Sequence, residues 1–146
     1  FQDFAVLDYL MGLYYILLPY RINRSMRLDS SAQSRAQRLA VDVGLGERLT
    51  RRQDSLSQGE RQSVAVCRAL VANPSLLLAD EPTANLDPDN AERVLDVLDG
   101  YATEHDATLI VVTHDRDVLD RFDETIDVSS FCLAASPEPV TGGDDA

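Results

Sequence analysis

Two neighbouring acids at the end of an apolar run are the residues best placed to do chemistry. Asp80 and Glu81 follow the aliphatic run 76–79, and Pro82 ends the run. Carboxylates at the end of a buried strand cost free energy unless a metal ion or a reaction uses them. The pair therefore predicts a functional site.

A second aliphatic run, 109–112, leads into His114. Strands that alternate with helices of crossover length predict an α/β fold with a parallel sheet. Neither run alternates apolar with polar residues, so both strands are expected to be buried on both faces. In such sheets ligands bind at the carboxyl ends of the strands, which is where Asp80, Glu81 and His114 would meet.

A third group of residues is placed where it could bind an anion. Ser57, Gln58 and Gly59 come directly before an apolar helix predicted over 62–71. Amide hydrogens at a helix N-terminus, together with a serine hydroxyl, bind anions well. Further along, Asp87 and Pro88 form a strong helix start, with the acid as the cap and proline in the first helical position.

The remaining segments supply the elements around these residues. Asp29, Ser30 and Ser31 offer an N-cap for a helix that ends at Gly44. The very apolar segment 10–20 predicts a buried helix that is too short to cross a bilayer. A short helix over 116–122 and a last strand over 125–128 complete the expected order of elements.

Composition limits the class of protein. The chain has 146 residues and a net charge of −12, which disfavours binding to nucleic acid. Its two cysteines make no disulfide framework, so a reducing compartment fits best, and Cys67 is expected in the core.

Taken in order, these motifs resemble the ATP-binding domain of ATP-binding-cassette (ABC) proteins. LSQGE at 56–60 is similar to the signature motif, ADEP at 79–82 to Walker B, and TANLD at 83–87 to the D-loop, while His114 is similar to the H-loop histidine. FQDF at 1–4 is similar to the Q-loop. The implied fold is a P-loop NTPase-like parallel sheet core, here incomplete, with a helical signature subdomain. It would cover residues 1–133, with a disordered acidic tail at 134–146.

The resemblance also implies a role for each site residue. Asp80 and Gln2 would hold Mg²⁺, Glu81 would activate the attacking water as general base, and His114 would contact the γ-phosphate. The signature residues Ser57, Gln58 and Gly59 would bind the γ-phosphate of ATP held by a second ATPase domain. Asp87 would cross that dimer interface.

The chain contains no lysine, and its glycines do not fit the spacing of the phosphate loop GxxxxGK[ST]. We therefore expect the chain to be the C-terminal part of a longer domain whose phosphate loop lies upstream. On its own it is expected neither to bind ATP tightly nor to hydrolyse it.

The resemblance implies an ATPase subunit on the cytoplasmic face of the cell membrane that couples ATP-driven dimerisation to transport through a permease. ADEPTANLD is similar to the same motif in the branch that powers lipoprotein release and macrolide export.

Two other hypotheses are disfavoured. The short spacing between Gln2 and Leu56 argues against a soluble ABC ATPase of DNA repair or chromosome maintenance. The retained catalytic positions argue against a non-catalytic remnant.

The chain departs from the family pattern in the signature, where LSQGE replaces the commoner LSGGQ, and at Ser63, where arginine is frequent. Gln58 should be tolerated because Ser57 and Gly59 remain. The change at Ser63 is expected to affect only the surface at the helix start.

Overall fold

The computed structural model describes residues 12–50 and 55–134. These residues form six α-helices and two strands, in the order α1 (Gly12–Ile16), α2 (Leu18–Ile22), α3 (Ser30–Asp42), α4 (Gln58–Leu70), β1 (Leu76–Asp80), α5 (Pro88–His105), β2 (Thr108–Val112) and α6 (Arg116–Leu119). Short 3₁₀ helices span Gly46–Thr50 and Val128–Ala134. The chain divides into two compact units between His114 and Asp115.

The two strands lie side by side and run parallel, as the sequence predicts. Leu77 pairs with Leu109 and Asp80 pairs with Val112, so both strands end at the same edge of the sheet. Helix α5 connects them. The side chain of Asp87 caps this helix, Pro88 occupies its first turn, and Asp106 ends it in the left-handed conformation.

Helices α4 and α5 cover one face of the sheet. Their buried side chains Val66, Leu70, Val94, Leu98 and Tyr101 form one core cluster with Leu77. The hydroxyl of Tyr101 donates a hydrogen bond of 3.1 Å to the Pro74 carbonyl, just before β1. These contacts hold β1 against the helix that carries LSQGE at its start.

The prediction that both strands are buried on both faces is wrong. Leu77 is 5% exposed, whereas its neighbour Leu78 is 73% exposed. Leu76, Leu78, Ile110 and Val112 make up the open face of the sheet, and all four are exposed. Successive strand residues point to opposite faces, and among the described residues the helices pack on one face only. A uniformly apolar run cannot reveal that difference.

This one-sided packing predicts different costs for two adjacent substitutions. Leu77→Ala should lower the free energy of unfolding of this chain by about 2–5 kcal/mol, because it opens a cavity in the core. Leu78→Ala should change it by no more than ~0.5 kcal/mol, because that side chain is already in water. Urea denaturation of the two variants measures both values. Equal costs would contradict the one-sided sheet.

A second core joins the helices that precede the sheet. Alanines at 32, 36 and 40 of α3 are fully buried and form one cluster with Ile16, Val64, Cys67 and Val71. Burial raises the pKa of the Cys67 thiol to about 12, so this cysteine is a core residue, as expected, and not a reactive thiol.

Polar groups complete the same region. The Val71 carbonyl, at the end of α4, accepts hydrogen bonds from Arg35 Nε (2.9 Å) and from the Tyr20 hydroxyl (2.8 Å). Arg35 Nη2 also donates to that hydroxyl. Three helices are thereby joined at one carbonyl that α4 itself leaves without a partner.

Both predicted ends of α3 are confirmed. Asp29 caps the first turn by accepting a hydrogen bond from the Ala32 amide. At the other end Gly44 takes a φ of 76°, and the amides of Gly44 and Leu45 donate to the carbonyls of Val41 and Ala40. This pattern of hydrogen bonds is the Schellman motif, which needs a residue at positive φ.

The apolar segment 10–20 is predicted as one buried helix. Its residues 10 and 11 lie outside the described residues, and the rest forms two short helices instead. Of these two, α1 has buried residues and α2 has none. Pro19 lies in the first turn of α2. Because proline has no amide hydrogen, it cannot donate to the Tyr15 carbonyl, and the helical ladder breaks at Leu17. Among the described residues, no helix combines the length and apolarity needed to cross a bilayer.

In the second unit, the helix predicted over 116–122 is confirmed at its start but ends at Leu119, and the predicted strand over 125–128 is wrong. Asp127 Oδ1 accepts hydrogen bonds from both the amide and the hydroxyl of Ser129, and the Ser130 hydroxyl donates to the Asp127 carbonyl. Such local side-chain bonds compete with strand pairing and turn the backbone into the 3₁₀ helix Val128–Ala134.

Candidate functional site

The carboxyl ends of the two strands bring together the residues that the sequence singles out. Asp80 is the last residue of β1 and is exposed, and strand alternation puts it on the same side as the open face. The Glu81 amide donates to the Val112 carbonyl at 2.8 Å, which extends the ladder by one residue. Glu81 then turns away with a φ of 47°. The left-handed backbone conformation costs a residue other than glycine about 1–3 kcal/mol of free energy, so the surroundings of Glu81 must hold it in that conformation.

The Glu81 carboxylate is anchored by β2 and the residues after it. Oε1 lies 2.7 Å from His114 Nδ1 and accepts a hydrogen bond of 3.1 Å from the His114 amide. Oε2 accepts a hydrogen bond of 3.2 Å from the Thr113 hydroxyl. Because an ionised carboxylate can only accept, Nδ1 carries the proton in this pair. The His114 side chain is 90% exposed.

These contacts also affect the ionisation of Glu81. Desolvation raises the pKa of this carboxyl, but the hydrogen bonds from His114 and Thr113 outweigh it and hold the pKa below its ordinary value of 4.5. Glu81 is therefore ionised at neutral pH. Since the folded pKa is the lower one, these contacts stabilise the fold above the unfolded pKa, and that contribution is lost as pH falls through the folded pKa.

The signature motif forms the start of α4. Ser57 is the N-cap: its hydroxyl accepts a hydrogen bond of 3.2 Å from the Glu60 amide. In return, Glu60 Oε2 accepts a hydrogen bond of 2.8 Å from the Ser57 amide, which completes a capping box. The other Glu60 oxygen pairs with the guanidinium of Arg48, which belongs to the 3₁₀ helix Gly46–Thr50.

A cleft of about 330 Å³ lies beside this turn. Its lining combines the signature residues 57–60 with residues 85–87, Ser63, Asn90, Arg48 and residues 43–45. Ser63 is 4% exposed, so the expectation that replacement of arginine there affects only the surface is wrong.

Asp87 lies in the same cleft and is engaged by its own helix. Its two carboxylate oxygens accept hydrogen bonds from the Asn90 amide at 3.1 Å and from the Asn90 side chain at 2.6 Å. The bond from the Asn90 amide, followed by that from its side chain, lowers the pKa of Asp87. Asp87 is thus an ionised N-cap of α5.

The predicted site residues fall into two groups. Glu81 and His114 are in contact, with Asp80 next to them along the chain, while Ser57, Gln58, Gly59 and Asp87 line the cleft. Gln2 lies outside the described residues. Sequence reasoning missed Thr113, Glu60 and Arg48. The spacing of Ser57 and Glu60 is readable as a capping box, and Thr113 directly precedes His114, but no pattern indicates the pairing of Arg48.

Between residues 12 and 50 and between 55 and 134, no group of three or more His, Cys, Asp or Glu side chains could hold a metal ion. A nucleotide site needs fewer protein ligands, because Mg²⁺ there binds one or two carboxylates together with phosphate oxygens and water. The exposed carboxylate of Asp80, next to Glu81 at the strand end, fits that requirement.

Comparison with known proteins agrees with this geometry. The family model described as ABC transporter matches residues 9–84. The lipoprotein-releasing system ATP-binding protein LolD of Hydrogenovibrio crunogenus is 40% identical over 123 residues, which are 84% of this chain and 53% of that protein. The macrolide export ATP-binding/permease protein MacB of Syntrophobacter fumaroxidans is 41% identical over 118 residues, 81% of this chain and 16% of that protein.

Among solved structures, the dimeric post-hydrolysis state of the ATP-binding cassette MJ0796, bound to ADP and Pi, has a TM-score of 0.71 at 33% identity and covers 81% of this chain and 52% of that one. The chain therefore belongs to the ABC transporter family, and its fold is that of an ABC ATPase cassette of the P-loop NTPase type. The predicted likeness to the lipoprotein-release and macrolide-export branch is confirmed, and the soluble alternative is not favoured. The chain spans about half the length of the LolD relative.

Proposed function

We propose that this chain is the part of an ABC transporter ATPase that activates water for ATP hydrolysis and carries the signature motif. Two such domains would close on ATP, and that dimerisation would drive transport through a membrane permease. The observation that carries the proposal is the anchoring of Glu81 by Thr113 and His114 at the ends of two parallel strands. The domain would span residues 1–133, followed by an acidic tail at 134–146.

In the proposed reaction, water attacks the γ-phosphorus of ATP, and the bond to the oxygen that bridges to the β-phosphate breaks, leaving ADP and inorganic phosphate. Glu81 accepts the proton of the attacking water. The residue is a carboxylate at neutral pH and is therefore in the form that can accept a proton. His114 orients that carboxylate through Nδ1, and its exposed ring is accessible to the γ-phosphate.

Asp80 and Gln2 would hold Mg²⁺, with Asp80 acting through a bound water molecule. When bound, the ion neutralises phosphate charge that develops during transfer. The exposed carboxylate of Asp80, one residue from the base, supports this assignment.

The signature residues would serve the nucleotide of the other domain. Ser57, Gln58 and Gly59 would present a hydroxyl and amide hydrogens to its γ-phosphate, and Asp87 would lie at the interface. Arg48 supports this role because it offsets the negative charge of Glu60 beside the incoming anion. The dimeric state of the MJ0796 cassette, a relative by structure, is consistent with such an arrangement.

The remaining assignments follow from the family and from composition. The LolD and MacB relatives are named as an ATP-binding protein and an ATP-binding/permease protein, which supports a permease partner and a place on the cytoplasmic face of the membrane. The net charge of −12 supports the absence of a nucleic-acid partner. Since these 146 residues contain no lysine, the phosphate-loop lysine must come from other residues for turnover to occur.

ATP hydrolysis tests the proposal directly. The complete gene product should hydrolyse Mg²⁺-ATP, whereas the 146-residue chain alone should not. A complete product that neither binds nor hydrolyses ATP would refute the proposed function. Turnover by the 146 residues alone would instead refute the requirement for a lysine from elsewhere.

A further inference from the structure

Gln62 connects the signature helix with the turn that carries Glu81. It lies one turn into α4, and its side-chain Nε2 donates a hydrogen bond of 3.0 Å to the Pro82 carbonyl. Pro82 is buried, Gln62 is half-buried, and the two residues are 20 positions apart in sequence. The bond therefore joins two separate elements and does not stabilise α4 itself.

The turn needs such support because of its backbone. Glu81 has a φ of 47°, and Asn85 a φ of 63°. Proline has no amide hydrogen, so the peptide between Glu81 and Pro82 offers no donor to the strands. The Glu81 carbonyl accepts from the Ala84 amide at 3.1 Å, and the next carbonyl along, that of Pro82, is the one that Gln62 holds. A strained conformation persists only where its neighbours determine it fully.

Gly59 provides a second contact between the same two elements. A Cβ atom on Gly59 would lie 3.0 Å from Leu86 Cδ2, so the first turn of α4 packs directly on the end of this turn. Helix α4 thus contacts both ends of the turn: Gln62 bonds to Pro82 at its start, and Gly59 packs on Leu86 at its end. A shift of the signature turn would move the backbone next to Glu81.

We propose that Gln62 is a positioning residue for Glu81. Through its bond to the Pro82 carbonyl, it fixes the position of the general base relative to the signature helix α4. This inference rests on the proposed function, because it assigns Gln62 a part in that reaction. It also links two sites, since the signature at the start of α4 serves one nucleotide and Glu81 serves the other. Gln62 acts through Pro82 and has no contact with the reacting atoms.

Gln62→Met removes the donor while keeping side-chain length and helix propensity. In the complete gene product, kcat should fall at least about tenfold while KM for ATP stays within about twofold, because a small displacement of the base affects the chemical step. Gln62→Arg should restore most of kcat, since its Nε–H lies the same number of bonds from Cα. Gln37→Met, on the exposed side of α3, is the matched control and should leave kcat unchanged.

Hydrogen exchange in the 146-residue chain gives a second readout that needs no activity. Gln62→Met should speed exchange of the Ala84 amide at least about tenfold and leave the amides of α4 unchanged, because the turn alone is loosened. Wild-type kcat in Gln62→Met would overturn the inference, as would unchanged protection of Ala84. So would a loss of kcat that Gln62→Arg does not restore and that is accompanied by general loss of protection, since that pattern is one of stability.

The two proposals fail separately. If the wild-type product hydrolyses no ATP, the proposed function is wrong, and exchange at Ala84 still decides whether Gln62 holds the turn. If the wild type is active and Gln62→Met is equally active, only the inference about Gln62 is wrong.

Discussion

Glu81→Gln is expected to lower the kcat of ATP hydrolysis by about 10²–10⁴-fold in the complete gene product, because it removes the group that accepts the proton of the attacking water. The fold should tolerate the change. The amide oxygen can accept from the two His114 donors, and the amide nitrogen can donate to the Thr113 hydroxyl. The thermal midpoint of the variant should therefore stay close to that of the wild type.

The same substitution should leave ATP bound, because binding does not need a base. With Mg²⁺-ATP the variant should elute from gel filtration as a dimer, whereas the wild type should return to monomer as ATP is consumed. Glu92→Gln, on the exposed surface of α5, is the matched control and should have wild-type kcat. A variant that retains more than about a tenth of wild-type kcat would exclude Glu81 as the general base, given the size of the effect that such a base provides.

The pH profile offers a further check on this assignment. The pKa of Glu81 is lowered, so the acid limb of kcat/KM should lie below the ordinary glutamate pKa of 4.5. The base form is lost as pH falls through the lowered pKa. Because kcat/KM reports the free enzyme, an acid limb centred above 4.5 that disappears in Glu81→Gln would mean that the hydrogen bonds from His114 and Thr113 do not hold the pKa of Glu81 down in the enzyme without nucleotide.

Local rules predict the residues of this site better than they predict the packing around it. Asp87 and Pro88 mark the start of α5 because cap and proline act within one turn, and the strand ends place Glu81 beside His114 because parallel strands end at one edge. The exposure of Leu78 depends instead on what packs against the sheet, which no strand pattern contains. The Gln62–Pro82 bond depends on how α4 lies against a distant turn. At Asp127, a side chain that bonds its own backbone overrides strand propensity.

A second large effect is expected at the signature, where one residue has two separable roles. Ser57 caps α4 and, in the proposed function, binds the γ-phosphate held by the other domain. Ser57→Ala should remove both roles, lowering the free energy of unfolding by about 1 kcal/mol and weakening the ATP-dependent dimer. A loss of dimer in that variant alone would not distinguish a frayed helix from a lost phosphate contact.

Ser57→Asp separates the two roles. Aspartate is as good an N-cap as serine, and it can accept from the same Glu60 amide, so stability should stay within about 0.5 kcal/mol of the wild type. In contrast, a carboxylate at this position cannot donate to a phosphate and repels it. A hydrogen bond to a charged group contributes about 1.5–3 kcal/mol, so dimer affinity should fall by at least about tenfold per site.

The measurement is gel filtration with Mg²⁺-ATP in the Glu81→Gln background, where the dimer is trapped, with urea denaturation alongside. We expect Ser57→Asp to be monomeric with nearly unchanged stability, and Ser57→Thr, which keeps both cap and hydroxyl, to dimerise. A stable Ser57→Asp protein that still forms the ATP-dependent dimer would exclude Ser57 from the phosphate site. Its hydroxyl, which accepts from the Glu60 amide, would then have only the structural role of the capping box.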